Sequence, residues 1–115
     1  MVVTDFIYKI CTRAAFREAQ ASGALAPSAD DVRDGYIHLS SQAQVKGTLE
    51  RHFEGQRDLV LLSVDVERLA AGTLRWEASR DGQLFPHVYG ALPASAVVRV
   101  FELADDEACR LPLEF

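Results

Sequence analysis

The sequence has few of the features that mark a membrane, secreted or nucleic-acid-binding protein. Its 115 residues contain two cysteines, Cys11 and Cys109, which are in no metal-binding or redox spacing. The longest apolar stretch, at 59–66, is too short to span a bilayer. Asp5 and Lys9 fall inside the first hydrophobic segment, so we expect no signal peptide. A net charge of −5 disfavours non-specific binding to nucleic acid, which requires a basic surface. We therefore expect a cytoplasmic protein with reduced thiols and with neither a membrane nor a nucleic acid as partner.

The motifs of several common enzyme classes are also missing. Neither GxGxxG nor GxxxxGK[ST] occurs, which excludes Rossmann-type dinucleotide binding and P-loop chemistry. There is no GxSxG elbow, so nucleophilic hydrolysis has no support. The three histidines have no companion cysteine pair at ligand spacing, so we expect no metal site.

What is present is the composition of an ordinary globular protein, with 49 % apolar and 25 % charged residues. A chain of this length fits a single domain over residues 1–115. Hydrophobic periodicity predicts helices over 13–23 and 42–55, a surface loop at 24–34, and strands at 5–11, 35–41, 58–66, 73–78 and 95–103. Thr12 is a candidate helix cap, and Ser41 with Gln44 is a candidate capping box. Helices early in the chain and strands late predict an α+β domain.

Two short segments carry the candidate chemistry, and the first is GYIHLSS. Strict alternation there places Tyr36, His38 and Ser40 on one face and Ile37 and Leu39 on the other. An imidazole, a phenol and a hydroxyl would therefore line one patch, opposite two core residues. The plainer alternatives are that the imidazole of His38 is satisfied by a backbone carbonyl and that Ser40 only helps to cap the next helix.

The second segment is LFPHVYG. Pro86 restrains the backbone before His87, and Tyr89 follows two residues later. A histidine held by a rigid Phe-Pro step and flanked by aromatic residues makes a ligand-binding corner. The plainer alternative is that His87 only shapes a turn.

Charged residues on two predicted strands complete the candidate site. Arg75 and Glu77 share one strand face, while Leu74 and Trp76 are predicted to point inward. As a solvated surface pair, Arg75 and Glu77 would contribute under about 1 kcal/mol. Lys9 lies on an otherwise apolar face of the first strand, where it is a candidate cation.

These segments, together with IYKI near the start and DLVLLSVDVERL in the middle, resemble the bacterial domain-of-unknown-function family 952 over roughly residues 6–103. That family is similar in fold to the ADP-ribosyltransferases, so the resemblance implies split antiparallel sheets that grip NAD in a cleft. The run from IHLS through VLLSVDVERLAAGTLRWEASRDG is also distantly similar to the NAD-dependent RNA 2′-phosphotransferases.

The resemblance implies a small nucleotide-like ligand of the NAD or ADP-ribose type, held in a cleft lined by His, Tyr and Ser. His38 and Glu77 are the candidate catalytic residues, and Lys9 stands where transferases place Arg or His, which favours binding without catalysis. The alternative is an active NAD-dependent ADP-ribosyl- or phosphotransferase. The residues assigned to ligand binding are Lys9, Tyr36, His38, Ser40, Arg75, Trp76, Glu77, His87 and Tyr89.

Overall fold

The computed structural model describes residues 6–103. Within that range, the helices are α1 (Arg13–Ser22), α2 (Ala29–Asp34) and α3 (Val45–His52). The strands are β1 (Phe6–Thr12), β2 (Ala24–Leu25), β3 (Ile37–His38), β4 (Leu59–Asp65), β5 (Leu74–Ala78), β6 (Leu84–Val88), β7 (Leu92–Pro93) and β8 (Val97–Glu102). The strands pair antiparallel, which confirms the predicted α+β class.

The described strands form two three-stranded sheets, in the orders β1-β4-β8 and β3-β6-β5, and a small β2-β7 ladder. β4 lies in the middle of the first sheet because its residues are apolar toward both faces, and all but the last are buried. An isolated bridge between Tyr8 and Ser40 connects β1 to the end of the segment that contains β3. The two larger sheets therefore meet where β1 passes the GYIHLSS segment.

Alternate residues of β1 and β4 face two different apolar clusters. One cluster contains Ile7, Val60 and Leu62 and extends to Ile37 and other residues of the second sheet. The other cluster packs Tyr8, Ile10, Leu59 and Leu61 beneath Val45 and Leu49 of α3. The first sheet is thus covered on both sides, and the second sheet and α3 are fixed against its opposite faces.

Helix α1 begins and ends as the sequence predicts. The Thr12 hydroxyl accepts a hydrogen bond from the backbone N–H of Ala15 at 3.1 Å. Gly23 takes the left-handed conformation at φ 98°, which ends the helix with little strain. In the predicted capping box, Gln44 Oε1 accepts from the backbone N–H of Ser41 at 3.0 Å, and a single 3₁₀ turn precedes α3.

The prediction of a surface loop at 24–34 is wrong, because this segment contains β2 and α2. The N–H of Asp31 donates to Ser28 Oγ at 3.2 Å, and the N–H of Ser28 donates to Asp31 Oδ2 at 2.9 Å. This reciprocal capping box starts α2 without an apolar stripe. The prediction that Trp76 points inward is also wrong: Trp76 is 47 % exposed, on a strand, β5, that lies at the edge of its sheet.

None of the helices within residues 6–103 is long and apolar enough to cross a membrane. Cys11 is a buried, free thiol in that part of the chain, and burial raises its pKa to about 11. Cys109 lies outside the described residues.

Candidate functional site

Strand pairing in the second sheet brings two histidines together. His38 on β3 pairs directly with His87 on β6, so both side chains leave the sheet on the same face. Their ring centroids are 5.7 Å apart, with the planes at 69°. Arg75 on β5 pairs with His87 from the other side, which places a guanidinium on this face as well.

The two imidazoles lie in the wall of a cavity of about 270 Å³, which we call the histidine cavity. Its wall comes from β1, α2, the segment around β3, α3 and β6. The apolar part of its lining includes Ile10, Phe53 and Phe85. The polar part of its lining includes Lys9, Asp31, Asp34, His38, Ser40 and His87.

His38 is held between two carboxylates of α2. Its Nδ1 lies 2.6 Å from Asp31 Oδ1, and its Nε2 lies 2.9 Å from Asp34 Oδ2. The hydrogen bond to Asp31, followed by its charge and by the bond to Asp34, raises the pKa of His38 above 6.5. His38 is thus a half-buried group that favours the imidazolium form.

Asp31 organises this half of the cavity although it is only 2 % exposed. Lys9 Nζ lies 3.3 Å from Asp31 Oδ2 and donates to the carbonyl of His38 at 2.9 Å. The backbone N–H of His38 also donates to Asp31 Oδ1, at 3.0 Å. Burial by itself would raise the pKa of Asp31, but the bond from His38 and the charge of Lys9 outweigh it and hold that pKa well below its usual range.

The other histidine has its own carboxylate. His87 Nδ1 lies 2.9 Å from Glu77 Oε1, and the Tyr89 hydroxyl donates to the same oxygen at 2.6 Å. The hydrogen bond from Tyr89, then that from His87, lowers the pKa of Glu77, and the same bond raises the pKa of Tyr89. Glu77 is therefore an ionised acceptor that fixes both partners.

Aromatic rings extend the site beyond the histidine cavity. Tyr36 stacks on His87 with centroids 4.0 Å apart and planes at 27°, and it also contacts Tyr89 at 5.2 Å. The guanidinium of Arg75 lies 5.2 Å from the centroid of the Tyr89 ring. Tyr36, Arg75, Glu77 and Tyr89 thus form a ledge beside His87, outside the cavity wall.

The structure separates the nine predicted binding residues into three groups. Lys9, His38, Ser40 and His87 line the histidine cavity, and the four residues of the ledge touch His87 or one another. Trp76 belongs to neither group, because alternation along β5 puts it on the opposite face of the sheet.

Ser40 and Lys9 both have partners inside the protein. Ser40 Oγ lies 2.9 Å from Thr48 Oγ1 of α3. The ammonium of Lys9 is taken up by Asp31 and by the carbonyl of His38. Each of them therefore holds another element in place, in addition to lining the cavity.

Sequence reasoning missed the two aspartates that orient His38, and it missed Phe85. Asp31 and Asp34 fell within the predicted loop. The spacing Ser28-x-x-Asp31 is the one signal that marks a helix start there. Among residues 6–103, no three His, Cys, Asp or Glu side chains are placed to hold a metal ion. The chemistry on offer is hydrogen bonding and proton exchange by two oriented imidazoles.

One family model and three solved structures match the chain. The family model described as "Protein of unknown function (DUF952)" matches residues 10–100. The crystal structures of protein CC0527 from Caulobacter crescentus and of its double mutant, both structural genomics targets, superpose with a TM-score of 0.85 and 44 % identity, over 94 % of each chain. The solution NMR structure of CC0527 gives a TM-score of 0.77 and 45 % identity, over 90 % of this chain and 89 % of the other. None of the curated proteins matches the chain.

Proposed function

The chain belongs to the DUF952 family, and we propose that it binds a small nucleotide-like ligand of the NAD or ADP-ribose type in the histidine cavity. The observation that carries this proposal is the pair of imidazoles, His38 and His87, each oriented by its own carboxylate and both lining one cavity. Imidazoles held in this way are suited to bind hydroxyl and phosphoryl oxygens, because little side-chain conformational entropy is lost when the ligand binds.

The size of the cavity limits how much of such a ligand enters it. Ligand pockets usually enclose about 300–1,000 Å³, and the histidine cavity has about 270 Å³. This volume suits one nucleoside-sized half of a dinucleotide. The other half then lies outside, along the ledge of Tyr36, Tyr89 and Arg75.

The ledge and the cavity would divide the ligand's groups between them. His38, as an imidazolium, donates from Nε2 to a ribose or phosphate oxygen when that oxygen takes the place of the Asp34 carboxylate, which now lies 2.9 Å from Nε2. The faces of Tyr36 and Tyr89 suit a flat ring, and Arg75 is the exposed cation best placed for a pyrophosphate. Lys9 contributes to ligand binding indirectly, through its ion pair with Asp31, because that carboxylate already neutralises its charge.

The sheet arrangement supports an ADP-ribosyltransferase-like fold as part of the same proposal. Two three-stranded antiparallel sheets meet beside the cavity, with β1 at the junction. A split pair of sheets that frames a ligand cleft is the architecture that this fold implies.

Isothermal titration at low salt tests the binding. NAD, ADP-ribose and nicotinamide are titrated into wild type, His38→Ala and Lys46→Ala, where Lys46 is an exposed residue of α3 that serves as the matched control. We expect NAD or ADP-ribose to bind wild type and Lys46→Ala equally and His38→Ala at least tenfold more weakly. If neither NAD nor ADP-ribose binds wild type at millimolar concentration, the proposal is wrong.

A second candidate function, an active NAD-dependent transferase, is favoured by the state of Glu77. Its side chain is 36 % exposed, ionised and fixed by two hydrogen bonds. A carboxylate of this kind stabilises the positive charge that develops on the ribose when its bond to nicotinamide breaks and that electron pair leaves with the ring nitrogen. Water or an acceptor hydroxyl then attacks the ribose carbon and loses a proton.

Chromatographic detection of free nicotinamide distinguishes the two candidates. Release by wild type that falls at least a hundredfold in Glu77→Gln supports the transferase. Binding of NAD without release supports the binding protein.

A further inference from the structure

One nitrogen of His87 has no hydrogen-bond partner among residues 6–103. The residue is 3 % exposed, and its Nδ1 is bonded to Glu77 at 2.9 Å. Its other contacts are with the rings of Tyr36 and His38. These ring contacts give Nε2 neither a donor nor an acceptor. A buried polar atom without a partner is costly, and such atoms in native structures usually mark a site of function.

The partner on Nδ1 decides which nitrogen carries the proton. Glu77 Oε1 belongs to a carboxylate that accepts from the Tyr89 hydroxyl as well, and a carboxylate can only accept. Nδ1 must therefore carry the hydrogen in this bond. In the neutral ring, Nε2 then holds a lone pair and is an acceptor.

The availability of Nε2 follows from the same contacts. Glu77 lies outside the lining of the histidine cavity, whereas His87 is part of it. The bond to Glu77 therefore occupies Nδ1, and Nε2 is the ring nitrogen that remains available to a ligand in the cavity.

We propose that His87 Nε2 is the acceptor for a hydroxyl group of the ligand, and that Glu77 is a positioning residue that acts through His87. This inference rests on the proposed function, in that the ligand occupies the histidine cavity. It narrows the ligand class to molecules that present a hydroxyl hydrogen at this point.

His38 supplies the complementary half of the recognition. Both of its nitrogens donate to carboxylates, and Nε2–H becomes a donor to the ligand when a ligand oxygen replaces the partly exposed Asp34. The His38 ring is 5.7 Å from that of His87. An acceptor and a donor at this spacing match two neighbouring oxygens, one that gives its hydrogen and one that receives one. A ribose diol has this pattern, whereas a bare phosphate lacks the hydroxyl hydrogen.

The tautomer of His87 is measured directly by two-bond ¹⁵N–¹H correlation NMR on the labelled protein without ligand. We expect the Nδ1–H form in wild type and in Tyr89→Phe, since that variant leaves the bond between Glu77 and His87 intact. Glu77→Gln, whose amide can accept or donate, should give a mixture. An Nε2–H form in wild type would overturn the proposal.

Ligand selectivity is a second test, because the preference for adenosine over its deoxy forms would not change if His87 had only a structural role. Adenosine, 2′-deoxyadenosine and 3′-deoxyadenosine are titrated into wild type and His87→Phe, which keeps a flat ring against Tyr36. Wild type should bind at least one deoxy form tenfold or more weakly than adenosine, and His87→Phe should bind all three alike. Equal discrimination in both proteins contradicts the assignment of His87.

Failure of the proposed function gives a different result. If NAD, ADP-ribose and the nucleosides all fail to bind wild type, the nucleotide ligand is wrong. The NMR measurement of the tautomer then decides by itself whether His87 Nε2 is an acceptor. Should His87→Phe fail to fold, Glu77→Gln replaces it, and its discrimination between adenosine and the deoxy forms is expected to shrink.

Discussion

Asp31 links three parts of the fold through one carboxylate. It accepts from Lys9 on β1, from Ser28 at the start of α2, and from the backbone and ring of His38 on β3. A buried carboxylate is costly unless its oxygens are satisfied in this way. The charge of Asp31 is therefore a condition for the buried position of Lys9.

The substitution Asp31→Asn should destabilise the protein by roughly 3–5 kcal/mol, because it keeps the side chain's shape but leaves the Lys9 ammonium buried without a counter-charge. Asp30→Asn is the matched control: Asp30 is exposed and pairs with Arg33 on the surface, so its loss should cost under about 1 kcal/mol. Urea denaturation measures both. Similar losses in the two variants would contradict the role of Asp31.

Folding shifts the pKa values of Asp31 and His38 in opposite directions. The free energy of unfolding should therefore fall on an acid limb and on an alkaline limb of its pH profile. The pKa of Asp31 is lowered by folding, so its contribution is present above its unfolded pKa of 3.8 and is lost as pH falls. The pKa of His38 is raised, so its contribution is complete below 6.5 and is lost as pH rises through the folded pKa.

Urea midpoints recorded between pH 3 and pH 9 test this expectation. His38→Gln should flatten the alkaline limb above pH 6.5. It should also reduce the acid limb without removing it, because Lys9 and the backbone N–H groups of Ser28 and His38 still lower the pKa of Asp31. An unchanged alkaline limb in His38→Gln would show that another group causes it.

At the scale of elements, α2 is attached to the protein by polar contacts. Asp31 is its one buried residue, while Val32, its one large apolar residue, is 71 % exposed. The helix forms part of the cavity wall through Asp30, Asp31, Arg33 and Asp34. Its attachment thus depends on ion pairs and hydrogen bonds, whereas β4 is held by buried apolar side chains.

Amide hydrogen exchange should separate these two kinds of attachment. The amides of α2 should exchange at least a hundredfold faster than those of β4, since local opening of α2 exposes almost no apolar surface. Asp31→Asn should accelerate exchange in α2 further while α1 keeps its protection relative to β4. Equal protection of α2 and β4 would contradict this view of the helix.

The same contrast explains what could be predicted from the sequence. Alternation in GYIHLSS put His38 opposite Ile37 and Leu39, and the structure buries both apolar residues in the core. Thr12 and Gly23 marked the ends of α1 because caps are local signals. These features depend on a residue and its near neighbours in the chain.

The partners of the two histidines could not be predicted in this way. Asp31 lies in a helix of six residues without apolar periodicity, and its contacts with Lys9 come from a distant strand. Glu77 was singled out by its position on a strand, but only the pairing of β5 with β6 brings it to His87. The sequence contains the residues of such contacts and no local signal for the pairing.

At the scale of the molecule, the two apolar clusters share β1 and β4. Ile7 and Leu62 belong to one cluster, and Ile10 and Leu61, in the same strands, belong to the other. Neither cluster can open without removing strands from its neighbour. This sharing supports the proposal of a single domain.

The protein should therefore unfold in urea in one cooperative transition. Far-UV circular dichroism reports the helices and strands, and fluorescence of Trp76 reports the edge of the second sheet. The two midpoints should coincide within error. Separate midpoints would indicate two units that unfold independently.

The central position of β4 has a consequence for the order of synthesis. Phe6 pairs with Asp65 on one side of the sheet, and Glu102 pairs with Val60 on the other. When β4 leaves the ribosome, its partner β1 has already been synthesised, whereas its other partner, β8, has not. Until β8 emerges, the most apolar strand of the nascent chain has an open edge, which is the feature that recruits other chains into aggregates. Chaperone protection is therefore most valuable to this protein during the interval in which residues 66–102 are translated.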